Sequence, residues 1–223
     1  MIKALVFDFD GLILDTETLM YKATKEIFAE YGAELPIEIW ANNAGTHDPN
    51  FDLIQVLEEQ TGRAVDRDAF YKKRDRLALE YIDKADVLPG IRAIIETADR
   101  FGLKIGLATS SGDHWAKNHL ERLGLAQYFD AFVQANDVKN VKPDPELYLK
   151  ACEALGVQPN EAIAFEDSYH GAVAAKKAGL YCIVVPNEVT RNLEFEGYDR
   201  KFNSLAETSL EKLIELFDTG KKA

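Results

Sequence analysis

The segment from Lys3 to Glu17, KALVFDFDGLILDTE, constrains the fold of this chain more than any other stretch. Ala4, Leu5, Val6, Phe7 and Phe9 form a nearly unbroken apolar run of strand length, the pattern of a parallel strand covered on both faces. Asp8 and Asp10 interrupt it. Side chains two residues apart in an extended segment point the same way, so the two carboxylates are expected to project together from the strand's end. That arrangement is costly unless something cationic is bound there. Gly11 lets the backbone turn sharply, and Leu12, Ile13 and Leu14 lead to Asp15 and Thr16, which can cap a following helix. Taken alone, Asp-x-Asp reads as a polar turn after a strand, so its meaning depends on whether later segments supply complementary groups.

A chain of 223 residues with 47% hydrophobic composition can bury a substantial core, and one domain, or one domain plus an insertion, is expected. The formal net charge of -12 and pI near 4.8 argue against a nucleic-acid backbone or an anionic membrane as partner, and a soluble protein, monomeric or weakly oligomeric, is the simplest expectation. Cys152 and Cys182 lie far apart in apolar surroundings without Cys-x-x-Cys spacing, so buried reduced thiols are expected rather than a disulfide or zinc site. This suits the cytoplasm. The chain enters its first strand without a basic region or cleavage site, and no later run approaches membrane-spanning length, so no targeting signal is expected.

From Glu17 to Lys84 the pattern is helical. Met20, Ala23, Ile27 and Tyr31 form one stripe ending at Gly32, Ile54 and Leu57 mark a second, and Phe70, Leu77 and Tyr81 a third. Lys73 and Arg74 lie between Phe70 and Leu77: either at least one of these cations faces a cleft, or both extend to solvent.

After Leu88-Pro89-Gly90 strands and helices alternate. Ile91, Ile94, Ile95 and Ala98 predict a helix, Leu103 to Ala108 a strand ending in Thr109-Ser110-Ser111-Gly112, Leu120 and Leu123 a helix, and Ala131 to Val133 a short strand. In Lys142-Pro143-Asp144-Pro145, proline restricts Lys142 to an extended conformation, and Asp144 and Pro145 are expected as N-cap and first residue of the next helix. Ala162 to Phe165 is a further strand ending in Glu166-Asp167-Ser168, followed by an Ala-rich helix, the strand Tyr181 to Val185 and a closing helix through Leu210, Leu213, Ile214 and Phe217. The expected architecture is α/β, a doubly wound and mostly parallel sheet. In such sheets ligands bind beyond the carboxyl ends of the strands, so Asp8, Asp10, Thr109, Lys142, Glu166 and Asp167 can converge.

Four carboxylates with few competing imidazole or thiolate ligands suit a hard cation, for which partly hydrated Mg²⁺ is the candidate, while a hydroxyl and a lysine suit phosphate oxygens. One carboxylate can attack phosphorus while its neighbour handles protons. Each residue also has a plainer reading alone: Thr109 and Ser168 as helix caps, Lys142 as a surface charge, Glu166 and Asp167 as first-turn acids.

Four segments together resemble the haloacid dehalogenase superfamily, in its phosphatase and β-phosphoglucomutase-like branch: DFDGLILDTE at Asp8 to Glu17, LATSS at Leu107 to Ser111, VKPDPELY at Val141 to Tyr148, and FEDSYHGAVAAKKAG at Phe165 to Gly179. The resemblance implies a Rossmann-like core over 1–15 and 87–223 with a mobile helical cap, 16–86, inserted after the first strand. It implies that Asp8 is a nucleophile forming an aspartyl-phosphate and that Asp10 donates and then accepts a proton. Thr109 and the Ser110 amide would hold the phosphoryl group, Lys142 would pair with Asp8 and phosphate, and Asp8, the Asp10 carbonyl, Glu166 and Asp167 would hold Mg²⁺. Substrate contacts from the cap would fall among Thr46, His47, Lys73 and Arg74, and the substrate would be a small phosphorylated metabolite.

Sugar-phosphate mutases of this branch carry a histidine where this chain has Met20, and an arginine shortly after the cap-loop glycine, where Thr46-His47-Asp48 follow Gly45. These departures favour a phosphomonoesterase over a mutase. His47, His114, His119 and His170 are read as incidental. A phospho-receiver domain also gathers acids and a lysine, but receivers insert no helical segment after the first strand; a dinucleotide binder is excluded by the absence of G-x-G-x-x-G.

Overall fold

The computed structural model describes residues 1–41, 51–112 and 114–219. Strand β1 (Ala4–Phe7) is buried along its whole length, as its unbroken apolar run requires. Four helices follow: α1 (Thr16–Glu30), α2 (Ile37–Ala41), α3 (Leu53–Thr61) and α4 (Arg67–Ile82). The chain then alternates through α5 (Ile91–Arg100), β2 (Lys104–Ala108), α6 (Trp115–Arg122), β3 (Ala131–Val133), α7 (Glu146–Leu155), β4 (Ala162–Glu166), α8 (Tyr169–Ala178), β5 (Tyr181–Val184), β6 (Arg200–Lys201) and α9 (Leu210–Thr219).

Among the described residues six strands form one parallel sheet in the order β3-β2-β1-β4-β5-β6. The chain runs outward from β1 to β2 and β3, then returns to build β4, β5 and β6 on the other side. The point where direction reverses lies beside β1, and this doubly wound α/β topology makes the carboxyl end of that strand the natural binding crevice.

The period of two along each strand sorts the core. Leu5, Phe7, Ile105, Leu107, Ile163, Phe165 and Ile183 pack beneath α5, α6 and α9. Ala4, Val6, Ala108, Ala162, Ala164, Cys182 and Val184 face α7 and α8, where small residues let the helices lie close. Cys152 and Cys182 are both buried and free in this second layer.

The helical insertion has its own core, with Ile27, Phe28, Ile54, Leu57 and Phe70 at its centre, joined by Val189 from the loop after β5. Asp15 caps α1 by accepting from the Thr18 N–H at 3.1 Å, as expected of that position. The two connections to the sheet run side by side, since the Leu88 N–H donates to the Ile13 carbonyl at 2.9 Å.

Three local features differ from the sequence expectation. Helix α2 carries no stripe of its own, and the two exposed residues of β6 have no hydrophobic pattern to betray them. Helix α7 begins at Glu146 rather than Pro145, because Asp144 accepts from the Glu146 N–H at 3.0 Å and holds the turn open one residue longer. Among the described residues no helix is long and apolar enough to cross a membrane.

Candidate active site

Beyond Phe7 the chain keeps its alignment for one more residue, the Asp8 N–H donating to the Phe165 carbonyl at 3.0 Å. Asp8 therefore stands at the end of β1, beside Glu166 and Asp167 at the end of β4. All three are buried, and one carboxylate oxygen from each lies within 4.8 Å of the others, close enough to hold a metal ion. Lys142, also buried, reaches into them from the loop before α7: its ammonium pairs with Asp8 Oδ1 and lies 2.7 Å from Glu166 Oε1.

Three buried carboxylates against one ammonium leave excess negative charge. Burial pushes Asp8 up to about 8, with Glu166 and Asp10 adding to the rise and Lys142 opposing it. Burial and the neighbouring Asp8 and Glu166 also hold Asp167 well above the carboxylate range. Burial works to lower Lys142, but Asp8 and Glu166 outweigh it and keep the ammonium above its ordinary value. The donor set is all oxygen, the preference of a hard divalent cation, which would supply the missing positive charge.

The backbone is shaped to let these groups meet. Gly11 has φ +82°, and a Cβ there would overlap Asp167 and Asn187. Asn187 closes the gap by donating to the Gly11 carbonyl at 3.2 Å and to Asp167 Oδ2 at 2.7 Å. Gly171, in the first turn of α8, leaves room for the Glu166 carboxylate, which a Cβ would displace. Tyr148 on α7 donates its hydroxyl to the same carboxylate.

Asp10 points to other partners. Its Oδ1 accepts from Thr16 Oγ1 at 2.8 Å and from the Trp115 indole at 2.9 Å, and its Oδ2 from Ser111 Oγ at 2.6 Å. Its carboxylate is not part of the three-acid cluster. Thr109, at the end of β2, is buried with its hydroxyl accepting from the Ser111 N–H at 3.0 Å. The Ser110 hydroxyl is buried and has no hydrogen-bond partner among the described residues.

These groups form the floor of a cavity of about 1220 Å³ between sheet and insertion. Its floor includes Asp8, Asp10, Thr109, Ser110, Lys142 and Asp167, and its upper wall includes Glu17, Met20, Trp40, Tyr71 and Arg74. Of the two cations between Phe70 and Leu77, Arg74 lines the cavity, its guanidinium over the Tyr71 ring at 4.7 Å and 2.6 Å from Asp75. Lys73 instead pairs with Glu30 on the exposed side of the insertion. Thr46 and His47 lie outside the described residues.

Sequence reasoning passed over several of these groups. His170, read there as incidental, lines the cavity, and burial lowers its pKa. Glu17 stands in the wall with its carboxyl raised to about 7 by burial and by Asp10 and Asp15. Asn187 and Trp115 carried no usable signal, because each acts across a long stretch of chain; Ser111 was visible only as part of the hydroxyl run after β2.

The model of the family described as haloacid dehalogenase-like hydrolase matches residues 5–185. YhcW of Bacillus subtilis (strain 168) is 46% identical over 215 residues, covering 96% of this chain and 97% of that protein. A phosphorylated carbohydrates phosphatase of Thermotoga maritima is 34% identical over 182 residues, 80% of this chain and 82% of its own. Among solved structures, a CbbY variant from Rhodobacter sphaeroides in complex with xylulose-(1,5)bisphosphate superimposes with a TM-score of 0.74 at 30% identity, covering 96% of this chain and 99% of that one.

Proposed function

Because this chain belongs to the haloacid dehalogenase-like hydrolase family, we propose that it is a Mg²⁺-dependent phosphomonoester hydrolase acting on a small phosphorylated carbohydrate through an aspartyl-phosphate. The observation that carries this reading is Lys142 bridging Asp8 and Glu166 at the floor of the cavity, with Asp167 completing the acid cluster. The named phosphatase activity on phosphorylated carbohydrates in the Thermotoga relative supports the substrate class.

In this mechanism the Asp8 carboxylate attacks phosphorus. The bond from phosphorus to the substrate oxygen breaks as Asp10 gives that oxygen a proton, leaving an alcohol and a phosphorylated Asp8. Asp10 then takes a proton from water attacking the same phosphorus, the bond to Asp8 breaks, and inorganic phosphate leaves. Thr109 and Ser110 bind phosphoryl oxygens, the free Ser110 hydroxyl being available to donate, and Lys142 neutralises charge on Asp8 and the phosphoryl group. Mg²⁺, held by Asp8, the Asp10 carbonyl, Glu166 and Asp167, would supply further neutralisation of the charge developing on those oxygens.

Residues 16–86 act as a cap that closes over the substrate and presents Arg74 to its distal part. Met20 in the cavity wall offers no proton-transfer group, which favours a hydrolase over a sugar-phosphate mutase. The buried free cysteines suit a reducing cytoplasm.

Phosphate release from a panel of sugar phosphates, measured with Mg²⁺ and again after EDTA, tests the reading. Turnover that requires the metal is expected. Conversion of β-glucose 1-phosphate to glucose 6-phosphate without phosphate release would replace it with the mutase.

A further inference from the structure

Helix α6 touches both the candidate acid and the insertion's second connection. Trp115, His119 and Arg122 lie at positions i, i+4 and i+7, which fall on one face of a helix. At one end of that face the Trp115 indole donates to Asp10 Oδ1 at 2.9 Å. At the other end the Arg122 guanidinium donates to the carbonyls of Ile82, Asp83 and Ala85, each at 3.0 Å. These are acceptors at and just beyond the carboxyl end of α4, where a helix leaves carbonyls without intrahelical donors.

His119 fills the space between. It is buried, its ring lies 4.3 Å from that of Trp115 in an edge-on arrangement and 6.1 Å from that of Phe9, and its Nδ1 accepts from Arg122 Nε at 3.4 Å. Phe9 is the residue between Asp8 and Asp10. The carboxyl end of α6 is tied to the core as well, since Arg92 on α5 donates to the Leu123 carbonyl at 2.9 Å. The three side chains therefore make a continuous packed path from the backbone of the insertion's exit to the carboxylate of Asp10.

We propose that Trp115 is a positioning residue that fixes the Asp10 carboxylate for proton transfer, and that Arg122, on the same face of α6, ties that position to the insertion's second connection. The inference rests on the acid/base role given to Asp10 above. Thr16 and Ser111 also donate to Asp10, but Thr16 opens the insertion and Ser111 belongs to the loop after β2, so neither lies on the element that carries Arg122. Trp115 is the donor that shares a rigid helix with the clamp on residues 82–85. Through that shared helix, the contact of Arg122 with the insertion's exit bears on the indole and, through it, on the orientation of Asp10.

Steady-state hydrolysis of para-nitrophenyl phosphate with Mg²⁺ tests this on the full chain, with Trp115→Phe, Arg122→Gln, the double variant and Asp10→Asn. Trp115→Phe keeps an aromatic ring against His119 and removes only the donor. Its kcat is expected to fall by about tenfold, the cost of one hydrogen bond to a charged group, with KM unchanged. Arg122→Gln lowers kcat severalfold, and adds nothing in the Trp115→Phe background because its effect runs through the indole. The chain holds two tryptophans, so the Trp115 indole N–H resonance of ¹⁵N-labelled protein is assigned by its loss in Trp115→Phe. It is expected to move in Asp10→Asn, a readout independent of turnover that stands if Trp115→Phe folds poorly. An unchanged kcat in folded Trp115→Phe beside an inactive Asp10→Asn overturns the positioning role and leaves the proposed function intact, as does an unmoved indole resonance. Additive losses in the double variant overturn the tie through α6. A fully active Asp10→Asn overturns the acid/base role and this inference with it.

Discussion

Tyr148 donates its phenolic hydrogen to Oε1 of Glu166, a carboxylate shut off from solvent. Lys142 shares that oxygen, and Ser168 donates to Oε2 at 3.2 Å. Burial, together with the negative charges of Glu166 and Asp8, drives the Tyr148 hydroxyl far above its ordinary pKa, so it acts as a permanent donor.

Tyr148→Phe should therefore weaken divalent binding by about 10- to 100-fold, the usual cost of losing a group that orients a metal ligand. Folding stability should fall by about 1–3 kcal/mol for a buried acceptor left short of a donor. Mg²⁺ titration by calorimetry and denaturant unfolding measure the two separately. Unchanged Mg²⁺ affinity would show that Glu166 takes no part in holding the metal.

Asp8→Asn should abolish turnover while leaving the fold intact, because the amide fills the same volume but cannot form the covalent phosphoenzyme. The substitution also removes one of three crowded buried carboxylates, while Lys142 keeps Glu166 as a partner. Phosphate release and circular dichroism on the purified variant check both halves; residual turnover near that of the unaltered chain would dismiss Asp8 as nucleophile.

Arg74→Ala should lower kcat/KM for a sugar bisphosphate by about tenfold or more, since a guanidinium can grip a distal phosphate through two parallel hydrogen bonds. Para-nitrophenyl phosphate, which has no distal anion, should be hydrolysed at a nearly unchanged rate. Equal losses on both substrates would assign Arg74 to packing against Tyr71, where its guanidinium already lies.

Glu17 predicts a dependence on pH that can be read without substrate. Burial first, then Asp10 and Asp15, raise its carboxyl from the ordinary 4.5 to about 7. The folded state thus binds the proton more tightly than the unfolded chain. The stability this group contributes is fully present below about pH 4.5 and is lost as pH rises through about 7. Measured in EDTA, Glu17→Gln should gain stability relative to the unaltered chain between pH 5 and pH 8, in the ~1-unit-wide titration region around each pKa. A difference independent of pH would mean that Glu17 remains ionised in the folded protein.

The sheet was legible because its inner strands are short, nearly unbroken apolar runs, the pattern of parallel strands covered on both faces. Strand β6 was not, since Arg200 and Lys201 join the sheet through backbone alone. Parallel strands also gather the residues at their carboxyl ends, so the meeting of Asp8 with Glu166 and Asp167 followed from topology. Side-chain direction was harder to read. Tyr148 entered the sequence reading as the end of the Val141 to Tyr148 segment, and the role of its hydroxyl became visible only with Glu166 opposite. Adjacent helix positions differ by about 100° around the axis, so periodicity could not say which of Lys73 and Arg74 faces the cavity. Asn187 reaches Gly11 across 176 positions, a pairing that spacing cannot anticipate.

Those long separations also govern how the site comes into being. Lys142 meets Asp8 across 134 positions, and Trp115 meets Asp10 across 105. Contacts of such span are slow to form, because the entropy of closing the loop is lost before the contact offsets it. In the strand order β4 lies beside β1, so Glu166 and Asp167 reach Asp8 only once those two strands pair. The crowding of acids that demands a cation therefore arises only when the second half of the sheet docks against β1. High-affinity Mg²⁺ binding should appear together with the final folding phase, and a refolding experiment that follows both signals would see them rise at one rate.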